Sequence, residues 1–171
     1  MTEVLETLRD EFSDVSDPAQ LTRLVLRLLL AAALGGALGY EREKSGKAAG
    51  MRTHMLVAIG AALFVLVPQQ GGMVVADMSR VIQGIVTGVG FLCAGAIIKH
   101  RSDQSVQGLT TAAGVWMTAA IGIACGLGRE ATAVISTVLA LIVLSGVPHL
   151  FGKNETGGEI DHKDDGDNRG S

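Results

Sequence analysis

The chain has 171 residues, of which 48% are hydrophobic and 23 are glycine, and its formal charge is −3. This length fits a single domain. The charges are uneven: residues 1–20 carry six acids and one base, residues 152–171 carry six acids and three bases, and residues 21–151 keep five acids and ten bases. A sparsely charged middle favours a membrane protein over a soluble one, because a charge at bilayer depth costs about 2.5–3.5 kcal/mol.

Patterns typical of enzymes and of nucleic-acid-binding proteins are missing. The spacing builds no Ser-His-Asp or Cys-His arrangement, phosphate-binding loops are absent, and the basic loops lack interleaved aromatic residues. Cys93 and Cys125 lie in apolar runs without CxxC spacing, which indicates buried thiols. We therefore expect no enzyme, no nucleic-acid partner and no cofactor, with Mg²⁺ considered only as a ligand.

The first eighteen residues form an acidic segment with helical periodicity. Val4, Leu5, Leu8, Phe12 and Val15 recur at helical spacing with acids between them. This pattern predicts a short amphipathic helix at the membrane surface.

Charge-free windows predict five transmembrane helices. Four windows of 24, 18, 25 and 22 uncharged residues follow Arg52, Arg80, Asp103 and Glu130, and a membrane helix needs about 20. The first helix has a shorter window, but Asp17 can cap it and Pro18 suits its first position. Arg23 and Arg27 would then extend toward the nearer surface. The predicted helices are approximately 19–40, 52–68, 79–99, 107–127 and 130–150, and the predicted fold is an all-α polytopic bundle.

Pairs of small residues four apart recur along these helices. Lipid is as apolar as leucine, so helices associate in the bilayer through close backbone approach rather than through burial alone. The pattern predicts a tightly packed bundle and a homodimer or other homo-oligomer. The candidate packing glycines are Gly35, Gly39, Gly84, Gly88, Gly90 (paired with Ala94), Gly122 and Gly126.

Basic residues in short loops predict the orientation. The 41–53 and 99–107 loops together carry six Lys or Arg residues, whereas the 68–80 and 127–130 connections carry two. The positive-inside rule therefore places the C-terminus in the cytoplasm and the N-terminus outside. Residues 19–151 form the predicted transmembrane domain, and the polar segment 152–171 is predicted to be a disordered acidic tail.

Polar residues near membrane depth are the candidate functional residues, because such groups usually face the bundle interior or a cavity. They have two interpretations: carboxylates that neutralise nearby arginines, or the lining of an ion route. A Mg²⁺ site uses one or two carboxylates while the ion keeps several waters, so Glu41 and Asp77 are the metal candidates. Histidines near helix ends, such as His54, are expected at the interface. The polar candidates are Glu41, Arg42, Arg52, Thr53, Lys99, Thr110 and Thr111 on the inner side, and Asp77, Arg80, Gln83 and Arg27 toward the outer side.

Several motifs in order resemble the MgtC/SapB family. Residues 33–67 resemble its opening, with a glycine-rich helix, an E-R pair and a GMRT entry to the second helix. Asp77 to Arg80 followed by GIVTGVGFLCAGAIIK is similar to its third helix, and QGLTTAAGVWMTAAIGIACGLG to its fourth. Thr87, Cys93 and Gln107 depart from the family pattern. Because the chain stops soon after the fifth helix, it is expected to resemble short SapB-like members that lack a C-terminal ACT-like domain.

The resemblance implies a bacterial inner-membrane protein linked to Mg²⁺ homeostasis. Two functions follow from it: Mg²⁺ transport, or regulation of another membrane complex, such as the ATP synthase, through helix–helix contact. The lipid bilayer, a second copy and another membrane protein are the expected partners. The residues carried over are Glu41, Arg42, Arg52, Thr53, Asp77, Arg80, Gln83, Thr110, Thr111 and Trp116.

Overall fold

The computed structural model describes residues 2–11, 17–98 and 108–146, and these residues are helical without any strand. Four of the helices are long and apolar enough to cross a membrane, and a fifth, over Glu130–Gly146, is apolar but shorter. The predicted all-α polytopic fold is confirmed. The helices are α1 (Thr2–Glu11), α2 (Pro18–Lys44), α3 (Met51–Gln70), α4 (Val75–Ile98), α5 (Leu109–Gly126) and α6 (Glu130–Leu141), and a π-helical turn (Ile142–Gly146) follows α6.

Helix boundaries follow the capping chemistry of the sequence. The Asp17 side chain accepts a hydrogen bond from the Ala19 amide at 3.0 Å, as predicted for an N-cap ahead of a proline at the first helical position. The predicted end of the second span at residue 68 is two residues short, because Pro68 lies within the last turn of α3 and Gly71 and Gly72 end it. Pro68 lacks a backbone N–H and its ring crowds the carbonyl four residues earlier, which disfavours continuation of α3 beyond this turn.

Some sequence predictions fall outside the described residues. The N-terminal amphipathic pattern corresponds to α1, but residues 12–16 lie outside the described part. So do Lys99, Gln107 and the predicted acidic tail 152–171.

α5 is the central helix of the bundle. It contacts α2, α3, α4 and α6, and it carries no charged residue. Contacts of Ala58 with Gly122 and of Ala62 with Gly126 show that α3 and α5 run parallel. The short 45–50 connection makes α2 and α3 antiparallel neighbours. α5 is therefore the helix against which the other membrane-spanning helices, and the candidate residues they carry, are packed.

Glycines let α5 and α2 approach α3 closely. A Cβ atom added at Gly122 would lie 2.3 Å from the Ala58 carbonyl oxygen, and one at Gly39 would lie 2.5 Å from the Met51 Cα. Gly35 and Gly126 are equally close to the α3 backbone or its alanines. No larger residue fits these crossings without moving the helices apart.

Many large apolar side chains point outward, whereas the buried interior is rich in alanine and glycine. Leu56 is 70% and Phe91 81% exposed, whereas Ala31, Ala58 and Ala62 are fully buried. A soluble bundle would bury its leucines and phenylalanines. An apolar exterior of this kind is suited to contact with lipid tails.

Candidate functional site

A buried ion pair lies at the end of α2 next to the 45–50 connection. Arg42 is 2% exposed, and its guanidinium is hydrogen-bonded to the Glu41 carboxylate. It also donates to the Leu144 carbonyl at 3.3 Å, while the Ser45 hydroxyl donates to Glu41 at 2.9 Å. A buried charge without a partner is strongly destabilising, so Glu41 is needed to keep Arg42 in the bundle.

His54 of α3 joins this pair in the interior. The ring is fully buried, and Nδ1 lies 3.0 Å from the Gly50 carbonyl oxygen. If Nδ1 donates there, Nε2 is an acceptor, and within the described part Nε2 has no hydrogen-bond partner. Nε2 faces Gly114, where an added Cβ would lie 3.5 Å from it and 3.9 Å from the Arg42 Cδ.

We call Glu41, Arg42, His54 and Gly114 the ionic cluster. It joins α2, α3 and α5, and Gly114 leaves the room that the ring and the guanidinium occupy. Thr111, buried one turn before Gly114 on α5, lies toward the same end. Buried ionisable groups in a membrane bundle mark proton or ion sites more often than packing positions. The cluster can exchange a proton at His54 and attract a cation through Glu41.

His54 lies in the first turn of α3, near a helix end as the sequence indicates, and its ring is buried within the bundle. The sequence of α3 contains a signal for this burial. His54, Ala58, Ala62 and Val65 recur at helical spacing, and all four are buried. The face of α3 that carries its small residues is thus the inner face, and His54 lies on it.

Other predicted residues at this end stay outside the cluster. Arg52, Thr53 and Thr110 are exposed, and no ion pair joins Arg52 to Glu41 in the described part. Trp116, 48% exposed, lines a 210 Å³ apolar cleft with Val86 and Val89 of α4. These four residues do not converge with the buried pair.

At the opposite end, Asp77, Arg80 and Gln83 lie on the first turns of α4. All three are exposed, and neither Asp77 nor Arg80 forms an ion pair with a described residue. Because α2 and α4 run in the same direction, Glu41 and Asp77 belong to opposite ends of the bundle. Among the described residues, no three His, Cys, Asp or Glu side chains come together as a metal site. The two carboxylates therefore do not form one Mg²⁺ site.

Arg27, one of the polar residues singled out in the sequence, forms a second polar junction. Its Nη1 donates to the Gln69 amide oxygen and to the Gly126 carbonyl, both at 3.2 Å, and its Nε lies 3.7 Å from the Glu130 carboxylate. Arg27 thus connects α2 to the ends of α3, α5 and α6, contacts that the sequence did not predict. It packs on Gly128, whose φ of +72° favours glycine.

An apolar exterior, an interior of small residues and polar junctions at both helix ends define a multi-pass α-helical membrane protein. Residues 28–152 match the MgtC family, and the chain belongs to this family. The predicted membership is confirmed.

Curated relatives share about two fifths of their matched residues with this chain. The chain is 44% identical over 127 residues to the "Putative magnesium transporter YhiD" of Escherichia coli K12, which is 70% of this chain and 58% of YhiD. It is 44% identical over 138 residues to protein SrpB of Synechococcus elongatus, covering 74% and 76% of the two chains. It is 43% identical over 119 residues to protein MgtC of Salmonella typhimurium, covering 68% and 49%. The chain thus spans little more than half of YhiD and about half of MgtC. No solved structure matches it.

Proposed function

We propose that this chain moves Mg²⁺ across a bacterial inner membrane and that Glu41 lies on the ion's path. The buried Glu41–Arg42 pair carries the proposal, since a bundle that faces lipid keeps ionised groups inside only at a cost. The printed name of YhiD and the shared family support Mg²⁺ as the ion. Because the 41–53 loop is basic, the positive-inside rule puts the ionic cluster at the cytoplasmic end of the bundle.

The ionic cluster suits a hydrated cation that is held briefly. Arg42 has two acceptors, the Glu41 carboxylate and the Leu144 carbonyl, so it can stay hydrogen-bonded to both residues while the second carboxylate oxygen of Glu41 turns to an ion. Mg²⁺ usually retains several waters and takes one or two carboxylates. Arg42 then limits how tightly the ion is held, because it competes with the cation for Glu41. Asp77, on the opposite end of the bundle, would attract the ion at the other membrane surface.

Mg²⁺ entry into vesicles tests this function. The full chain is reconstituted with a Mg²⁺-sensitive dye inside, and an inward Mg²⁺ gradient is applied. Glu41→Gln is expected to slow entry about tenfold, the effect of losing about 1.4 kcal/mol of stabilisation along the path. Glu3→Gln on α1 removes the same charge from an exposed residue and serves as the control. Absence of entry into wild-type vesicles at every gradient overturns the proposal.

A second candidate function rests on an unfilled groove between α3 and α4. The groove has a volume of about 620 Å³, and its walls include Leu56, Phe64 and Leu92. Gly60, Gly84 and Gly88 also line it, and a Cβ added at any of the three would meet no atom of the described chain within 4 Å. These glycines therefore leave room for the backbone of a helix that the described chain does not supply.

We propose a second copy of this chain as the occupant. A two-fold interface needs one surface that is complementary to itself. The exposed Phe64 on the wall of the groove is the side chain that we expect to enter the groove of the second copy. In this alternative the chain acts as a regulatory membrane protein through helix–helix contact and does not transport ions.

The oligomeric state of matched glycine variants tests the alternative. Gly84→Leu fills the groove and is expected to convert a dimer into a monomer by mass measurement in detergent. Gly90→Leu places the same side chain elsewhere on α4, where an added Cβ also meets nothing within 4 Å, and should leave the dimer intact. A monomeric wild type, or a complex formed only with a different protein, contradicts the second copy as occupant.

A further inference from the structure

The N-terminal end of α2 projects beyond the rest of the bundle. Arg27 lies level with the last turn of α3, the end of α5 and the start of α6, as its bonds to Gln69, Gly126 and Glu130 show. Nine residues of α2 precede Arg27, and at 1.5 Å per residue they extend about 13 Å further. Arg23 lies about one helical turn before Arg27 on this extension, where we expect lipid headgroups.

A polar cleft separates this extension from the end of α3. Its volume is about 280 Å³, and no carboxylate of the described chain lines it. Its polar walls are two guanidinium groups and three side-chain amides, and Leu24 and Leu66 form the apolar side. The polar lining residues are Gln20, Arg23, Arg27, Gln69 and Gln70.

The two arginines of the cleft differ in their partners. Arg27 is held by a side-chain amide, a helix-end carbonyl and Glu130. Arg23 is exposed and forms no ion pair with any described residue. Both arginines also line a neighbouring cleft that includes Glu130, but Glu130 does not line this one. The cleft therefore has a positive charge that no carboxylate of its own walls balances.

We propose that this cleft binds a phosphate group, with Arg23 as its principal ligand. The planar guanidinium fork matches phosphate oxygens in a bidentate geometry, and the glutamine amides add donors beside it. Basic pockets between helices at the membrane surface suit lipid headgroups. An anionic phospholipid and a soluble phosphate both carry the required chemistry. The two leucines on the cleft's apolar side give the phospholipid an additional contact.

Lipid retention by the purified full chain tests the site. Native mass spectrometry in detergent compares added phosphatidylglycerol with phosphatidylcholine. Arg23→Gln is expected to weaken phosphatidylglycerol retention about tenfold, which corresponds to losing one charge-assisted contact. Arg129→Gln removes the same charge from an exposed residue at the same end but outside the cleft, and retention should be unchanged.

A competition arm separates the two sources of phosphate. If the site takes lipid, millimolar inorganic phosphate should leave phosphatidylglycerol bound. If inorganic phosphate displaces it in the wild type and has no effect in Arg23→Gln, the site takes soluble phosphates.

Equal retention by wild type, Arg23→Gln and Arg129→Gln overturns the site. So does retention of phosphatidylcholine that equals that of phosphatidylglycerol, because both carry a phosphate but only the latter has a net negative headgroup. Phosphate binding at this cleft does not depend on Mg²⁺ transport, so either proposal can fail without the other.

Discussion

Adding one methyl group at Gly122 should destabilise the protein, whereas the same change at Gly90 should not. The new Cβ at Gly122 would lie 2.3 Å from the Ala58 carbonyl oxygen, and about 3.4 Å is the shortest ordinary contact. Backbone atoms cannot rotate away, so α3 and α5 must separate by about 1 Å, which forfeits contacts along their whole crossing. Overpacking of this kind costs about 1–3 kcal/mol.

Thermal unfolding in detergent measures the difference. For a chain of this length, a loss of 1–3 kcal/mol lowers the unfolding temperature by about 2–12 °C. Gly90→Ala is the matched control, because its Cβ meets no atom within 4 Å in the described part of the chain, the residue does not line the groove, and alanine favours the helix. If Gly122→Ala unfolds at the wild-type temperature, or no lower than Gly90→Ala, the close crossing of α3 and α5 at Gly122 is wrong.

Three further predictions follow from the polar junctions and the loop charges. Arg42→Met leaves Glu41 without its partner and should cost about 3–5 kcal/mol of stability, while the double variant with Glu41→Leu should recover most of that loss in the same unfolding assay. Arg27→Gln removes the cation from the α5 C-terminus and from Glu130, so it should lower stability by about 1–2 kcal/mol, and Glu130→Gln should account for only part of this. Lys47 is exposed in the 45–50 connection, and an impermeant amine reagent should label it only after the cell is opened; labelling in intact cells contradicts the orientation.

The sequence predicted the helices well because charge spacing and capping are local properties. Arg52 to Asp77 brackets the window that contains most of α3, and Asp17 with Pro18 marks the start of α2. The predicted start of α4 was less accurate. α4 begins at Val75, four residues before the prediction, because its first turn includes the exposed Asp77, which the charge-free window left out.

The sequence could not show which glycines lie at helix crossings. Gly35, Gly39, Gly122 and Gly126 are packed against α3, whereas Gly84, Gly88 and Gly90 are open, yet all belong to the same small-residue pattern. In a soluble protein, polarity would mark the outward face. Here lipid and neighbouring helices are both apolar, so helical periodicity identifies a common face but not its partner.

The candidate site was predicted only in part, for the same reason. Glu41 and Arg42 were identified by their charge, whereas their junction with His54 depends on how α2, α3 and α5 cross at Gly114. Arg27 reaches residues 42 and 99 positions away, a separation that no local pattern encodes. The roles of the exposed residues Arg52, Thr53, Thr110, Arg80 and Gln83 stay predictions.

The most direct test of Mg²⁺ movement through the ionic cluster compares three preparations in one flux assay. The initial rate of Mg²⁺ entry is measured for wild type, Glu41→Gln and Gly84→Leu at equal protein incorporation. We predict rapid entry in the wild type, about tenfold slower entry in Glu41→Gln, and wild-type entry in Gly84→Leu, whose groove lies away from the cluster. Equal rates in wild type, Glu41→Gln and empty vesicles would contradict the account.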